Sequence, residues 1–394
     1  LKNLTKKTCL LLALILCIIA FCSCNTPVEE TTEPFSEIVN VVILTEFQDA
    51  VFEPEDFEII EDSLNNPEST SVKQYFSKVS YGNLTVKSVY AFAQSNMTRE
   101  SFKELNTTQQ VAFAKNTLQN QTIYKDIHKS EIFEEKLDNK KRGYLDSVVF
   151  YVPWTVSNTG SDPSSALWPH TVFYSANIKT FNGLNFKDFV IFPHNVQLSA
   201  SVIYTASVGV MCHELLHVLG NDLGISDLYY YDDPNVHPVG LYDIMAYTDY
   251  AAPQQLNMYY KSLLGWATLT DLNYGEIEVA KTDATAIKLG ERNGEFFLIQ
   301  YFEESEICGI EYGEGFLIYR INTNIKNGNV DKTVGEQVFI FRTDKLSVNY
   351  NAYNFPAIFD SDTFFEDLTY SDGTKASFEI FISFDGDNFY VEVL

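Results

Sequence analysis

The segment Ser207-Val208-Gly209-Val210-Met211-Cys212-His213-Glu214-Leu215-Leu216-His217-Val218-Leu219-Gly220 is apolar before and through a His-Glu-x-x-His pattern. This run predicts a helix, and Gly220 stands where a C-terminal breaker belongs. On a helix, His213 and His217 are four residues apart and share one face. Two imidazoles so placed can bind one Zn2+, while Glu214 sits beside them to take a proton from a water.

Further segments surround this helix along the chain. After it come Ser226-Asp227-Leu228-Tyr229, Pro238-Val239-Gly240-Leu241-Tyr242-Asp243-Ile244-Met245, Pro253-Gln254-Gln255 and Lys261-Ser262-Leu263-Leu264-Gly265-Trp266. Before it lie Val72-Lys73-Gln74-Tyr75-Phe76, Ser80-Tyr81-Gly82-Asn83-Leu84 and Leu167-Trp168-Pro169-His170, and far downstream Gly315-Phe316-Leu317-Ile318-Tyr319-Arg320. With Gly220 three residues after His217, this set resembles the immune inhibitor A type of secreted bacterial metallopeptidase, peptidase family M-six, among the metzincin-like zincins. The resemblance covers nearly all of the chain beyond residue 37. It implies an α+β fold, with a zincin-like catalytic domain of mixed sheet plus active-site helix followed by a β-rich C-terminal domain. It also implies a zinc endopeptidase acting on protein or peptide substrates, with Met245 in a turn beneath the metal. Tyr247, two residues on, is then placed to hydrogen-bond the tetrahedral intermediate.

One position departs from the family pattern. Three residues after the Gly the family has an Asp, or a His in metzincins, as third ligand; here that residue is Leu223. Asp-Leu-Tyr appears four residues late, at 227–229, as if four residues were inserted after Gly220. Asp227 is the expected third ligand, because a catalytic zinc needs three protein ligands and an open position. Asp222 is the alternative and His237 a remoter one. The displaced ligand leaves a second expectation open, a non-catalytic cell-surface binding module derived from a metallopeptidase.

Charge narrows the partners. Among 394 residues there are 53 Asp plus Glu against 27 Lys plus Arg, a formal net charge of -26, which argues against nucleic acid because phosphate binders need a basic face. From Asp188 to Tyr260 there are eight acidic residues and no Lys or Arg, so the acidity surrounds the expected metal site. Acidic peptides are therefore expected to be poor substrates. Asp232-Asp233 and Asp385-Gly386-Asp387 offer oxygen ligands for Ca2+, though no complete EF-hand loop is present.

The N-terminus has Lys2, Lys6 and Lys7 before an apolar run from Cys9 to Phe21, the layout of a signal peptide. Phe21-Cys22-Ser23-Cys24 resembles a bacterial lipoprotein cleavage box, so residues 1–23 are expected to be removed and Cys24 lipidated. An extracellular, membrane-tethered monomer follows, with full secretion as the alternative. Residues 24–37 read as an acidic tether. Residues 38–268 are the expected catalytic domain and 269–394 the β-rich domain. Beyond the leader and the expected lipidated Cys24, only Cys212 and Cys308 remain in the folded part, which permits one disulfide at most. Strands are expected at Ile38–Leu44, Leu84–Ala91, Asp146–Val152 and Phe186–Phe192, and helices at Ser71–Tyr81, Arg99–Leu118 and Tyr124–Leu137. After Trp266 the expected runs, Glu295–Tyr301, Gly315–Tyr319, Gln337–Phe341 and Phe378–Val393, are all strands.

Overall fold

The computed structural model describes residues 36–120, 123, 137–139, 142–157, 165–180, 183–233, 235–303, 313–343 and 356–394. The leader, Cys24, residues 24–35 of the tether, Cys308 and all but the last residue of the helix expected at 124–137 lie outside the described residues.

The run beginning at Ile38 forms β1 (Glu37–Glu46), buried throughout Ile38–Thr45. Beside it are β2 (Thr85–Gln94), β3 (Ser147–Ser157), β4 (His170–Lys179), β5 (Asn185–Ser199) and β6 (Val202–Thr205). The sheet order is β2-β1-β3-β5-β4, with β6 also on β5. The first four strands in that order are parallel, whereas β4 and β6 run antiparallel to β5.

The helices are α1 (Pro54–Asn65), α2 (Val72–Val79), α3 (Arg99–Lys103), α4 (Thr107–Leu118), α5 (Val208–Gly220) and α6 (Met258–Leu263). Strand residues alternate between faces. Ile38, Val42 and Leu44 join the core formed with α1, α2 and α5, while Val39, Val41 and Ile43 join the core formed with α3 and α4. Both faces are covered, which is why β1 is an unbroken apolar run. The single helix expected over Arg99–Leu118 is two helices. Asn106 starts the second through a reciprocal capping box, its side chain accepting from the Gln109 N–H at 3.0 Å while Gln109 Oε1 accepts from the Asn106 N–H at 2.9 Å.

The C-terminal part is two antiparallel-rich sheets. One contains β7 (Thr268–Asp271), β9 (Thr285–Arg292), β10 (Glu295–Phe302), β11 (Gly315–Asn322) and β12 (Val338–Ile340); the other contains β8 (Gly275–Ala280), β13 (Thr363–Phe365), β14 (Ile380–Asp385) and β15 (Asn388–Val393). Phe297, Ile299, Phe316 and Ile318 face the second sheet and form a core with Ile380, Ile382, Phe389 and Val391. The alternate residues Phe296, Leu298, Leu317, Tyr319 and Ile321 instead join the same core as α1, α2 and α5. The boundary expected at residue 268 therefore separates sheets but not cores, and the described residues on both sides belong to one compact unit. The protein is a mixed α+β fold dominated by sheet. Among the described residues no helix is long and apolar enough to cross a membrane.

Helix α5 is held at its start by the loop that follows residue 244. Ser207 caps it, and the same hydroxyl lies 2.9 Å from the Tyr250 carbonyl oxygen. Gly209 lets that loop approach, because a Cβ there would lie 1.8 Å from the Asp249 carbonyl oxygen. Since the obstructing atom is backbone, Gly209→Ala is expected to cost at least the upper end of the overpacking range, about 3 kcal/mol. Urea unfolding checks this, and a midpoint equal to the parent's contradicts the close approach.

Candidate metal centre

The two histidines of α5 project from one helical face with ring centroids 4.9 Å apart and planes at 86°. The helix is buried along nearly its whole length, between the sheet and the loops beyond it. Such an enclosed helix holds its side chains in few rotamers, which suits a site that must keep fixed geometry.

The four residues after Gly220 form their own turn. Asn221–Leu223 is a 3-10 turn, Gly224 takes the left-handed conformation at φ 77°, and the Ile225 N–H returns to the Gly220 carbonyl at 3.1 Å. Ile225 then lies directly over Gly220, where any Cβ would meet its side chain at 2.4 Å. This closed turn brings Asp227 back to the histidines. Asp227 Oδ1 is 3.1 Å from His213 Nε2 and 3.3 Å from His217 Nε2. Among the described residues these three form the one cluster of three or more His, Cys, Asp or Glu whose donor atoms could hold a metal, all within 4.8 Å of one another.

Asp222 does not join them. It sits at the surface with Lys187 Nζ at 2.6 Å and Arg142 at 3.3 Å, so the structure separates the alternative ligand from both imidazoles. His237 is buried and lies outside the cluster.

The outer nitrogens of both rings face carbonyl oxygens. His213 Nδ1 is 3.0 Å from Ile244 O, and His217 Nδ1 is 3.4 Å from Ile225 O. A carbonyl can only accept, so Nδ1 carries the proton and each neutral ring directs its Nε2 lone pair inward. Asp227 Oδ1 is buried and accepts no hydrogen bond of good geometry. Two lone-pair nitrogens and an orphaned carboxylate oxygen facing one another are unfavourable unless a cation joins them or the rings take on protons. The set of two imidazoles and one carboxylate fits Zn2+.

Without a metal the charges compensate differently. Burial opposes charge on His213, but the Asp227 carboxylate outweighs it and pushes the imidazole up to about 9. Burial likewise opposes charge on Asp227, yet the His217 and His213 imidazoles hold its carboxyl far below the usual range.

Glu214 is also buried, and Thr171 on β4 reaches it. The Thr171 hydroxyl lies 2.8 Å from Glu214 Oε2 and 3.0 Å from the Glu214 carbonyl oxygen. Phe173, on the same strand, meets the His217 ring edge-on at 6.2 Å. Glu214, the three clustered residues and Tyr247 all line one cleft of about 1270 Å³, whose walls include Trp168, Phe173 and a cluster of tyrosines. Met245 is fully buried, and its carbonyl accepts from the Leu228 N–H at 2.8 Å, tying this turn to the loop of Asp227. The turn is itself organised by buried Asp243, which accepts from the N–H groups of Met245 and Asn257 at 2.7 Å each. Burial pushes the Asp243 carboxyl up to about 6 against those donors.

The sequence reading did not find Thr171, Tyr231 or Asn329. The Tyr231 hydroxyl donates to Asp227 Oδ2, and the Asn329 N–H donates to the Asp227 carbonyl at 2.8 Å. Gly328 allows that approach, since a Cβ there would lie 2.1 Å from the Asp227 carbonyl oxygen. The signals available were a Tyr-rich stretch and an Asn-Gly-Asn turn, neither of which names a partner across the fold. As for the expected Ca2+ ligands, Asp233 pairs with Lys332 at 2.6 Å, and Asp385-Gly386-Asp387 makes the hairpin turn between β14 and β15.

No protein-family model matches this chain, and no curated protein sequence matches it.

The His213–Asp227 pair makes the stability of the metal-free protein depend on pH. The His213 pKa rises from 6.5 to about 9 on folding, so its contribution is complete below pH 6.5 and is lost as pH climbs through 9. At 1.36 kcal/mol per unit the loss is about 3 kcal/mol. In metal-free protein, the stability difference between parent and His213→Gln is expected to shrink by that amount from pH 6.5 to 9.5. Urea titrations give the test, and a difference constant with pH contradicts a charged pair.

Proposed function

We propose that this chain is a zinc-dependent endopeptidase of zincin type, exported and tethered to the cell membrane by a lipid on Cys24. The observation that supports it most is the convergence of His213, His217 and Asp227 on one point beside Glu214 in an open cleft. Three protein ligands with room beside them are the pattern of a catalytic zinc, whereas structural zinc is usually closed by four. A Zn2+ ion bound there supplies Lewis acidity, making a nearby water acidic and polarising the scissile carbonyl.

The protein's own groups account for the remaining steps. Glu214, oriented by Thr171, takes the proton of the attacking water and returns it to the leaving amine. Tyr247, in the cleft wall, donates to the oxygen that gains negative charge. The cleft exceeds the usual small-ligand range of about 300–1,000 Å³. Its border includes His170, Thr171 and Phe173 of β4, which ends the sheet order, so an extended peptide can pair along that strand.

Glu214→Gln is expected to slow digestion of unfolded casein by about 10²–10⁴-fold, while zinc stays bound at one ion per chain. Digestion at the parent rate rejects the mechanism. A parent that binds zinc without cleaving unfolded protein favours the non-catalytic surface module instead. The acidic surroundings give a second expectation: of two matched peptides, the basic one is cut faster at low salt, and the gap narrows at high salt. Equal rates at low salt contradict it.

A further inference from the structure

Asp227 presents its two oxygens to different partners. Oδ1 faces both imidazoles at 3.1 and 3.3 Å, and Oδ2 accepts a hydrogen bond from Tyr231. Tyr231 is 64% exposed and lines the cleft, yet its hydroxyl reaches inward to a carboxylate that is only 6% exposed. An exposed aromatic ring with its one polar atom bonded to a buried charge is not explained by packing alone.

The Asp227 main chain is already fixed. The Asn329 N–H holds its carbonyl, Gly328 packs against it, and the Tyr231 N–H donates to Val330 O at 3.2 Å. What these main-chain contacts leave to the facing phenols, Tyr231 through its hydrogen bond and half-buried Tyr229 beside the same carboxylate, is the rotation of the Asp227 side chain. A carboxylate free to rotate can turn either oxygen, or both, toward the histidines. We propose that Tyr231 is a positioning residue for the metal centre, its hydroxyl holding Oδ2 so that Oδ1 is the single oxygen offered to a metal.

This inference rests on the zinc reading given above. Hydrogen bonds to metal-ligating carboxylates orient the ligand, and their loss typically weakens metal affinity by about 10–100-fold. A phenol is protonated at neutral pH, so the Tyr231 hydroxyl is a donor to Oδ2. Tyr231→Phe removes the donor and keeps the ring, including its contact with Tyr229 at 5.5 Å.

The test compares parent and Tyr231→Phe by zinc competition against a chromophoric chelator. The Tm of both metal-free proteins and the d–d absorption of their Co2+ forms complete it. The expected result is a zinc Kd raised about tenfold or more and a Co2+ spectrum of altered intensity, with the metal-free Tm lowered by the loss of a donor to a buried carboxylate. One zinc per parent chain with an unchanged Kd in the variant overturns the role of Tyr231 and leaves the zinc reading standing. A raised Kd with superposable Co2+ spectra marks general loosening, and also overturns it. A parent that takes up no zinc overturns both.

Discussion

A carboxylate enclosed by protein is costly unless its charge is answered, and Asp227 is such a group. Everything around it serves that constraint. Two imidazoles face one oxygen, a phenol holds the other, and the backbone N–H of Asn329, about 100 positions away, holds the main-chain carbonyl. Removing any one partner leaves part of a buried charge unanswered, so the cluster is coupled rather than a sum of separate contacts.

The architecture follows from the need to bring those partners together. Helix α5 carries both histidines, and its start is pinned by the close passage of Gly209 under the 249–250 backbone. The antiparallel strand β4 brings Thr171 to Glu214. The five-stranded sheet beyond residue 268 shares a core with α5, and the segment between β11 and β12 reaches back to clamp the Asp227 loop. The β-rich C-terminal part is thus a structural component of the candidate site and not an appendage to it.

Legibility in the sequence differed by feature, for physical reasons. Local patterns were readable: the apolar run at Ile38–Leu44, the helical spacing of Val72, Tyr75, Phe76 and Val79, and the strand runs at Glu295, Gly315 and Phe378 all correspond to elements found there. Boundaries were less so. A capping box at Asn106 split one expected helix into two, and helix α1 passed unnoticed because its acidic sequence buries only Ile60 and Leu64. The domain boundary at 268 followed a real change from mixed to β-type patterning, but β10 and β11 are apolar on both faces and join the two regions in one core.

The sequence by itself determined that His213, Glu214 and His217 share a helix, because a four-residue spacing and an apolar context are local properties of the chain. It also determined that the charge around them is acidic, since composition does not depend on folding. Only the tertiary structure shows that Asp227, and not Asp222, lies beside the histidines. Both are acids a few residues past the same glycine, and what separates them is the closed turn over Gly220, which swings one inward and leaves the other at the surface with Lys187. The same holds for Thr171 and Asn329, whose contacts span 43 and 102 positions, and for Tyr231, which is only four residues from Asp227 but is turned toward it by the folded loop.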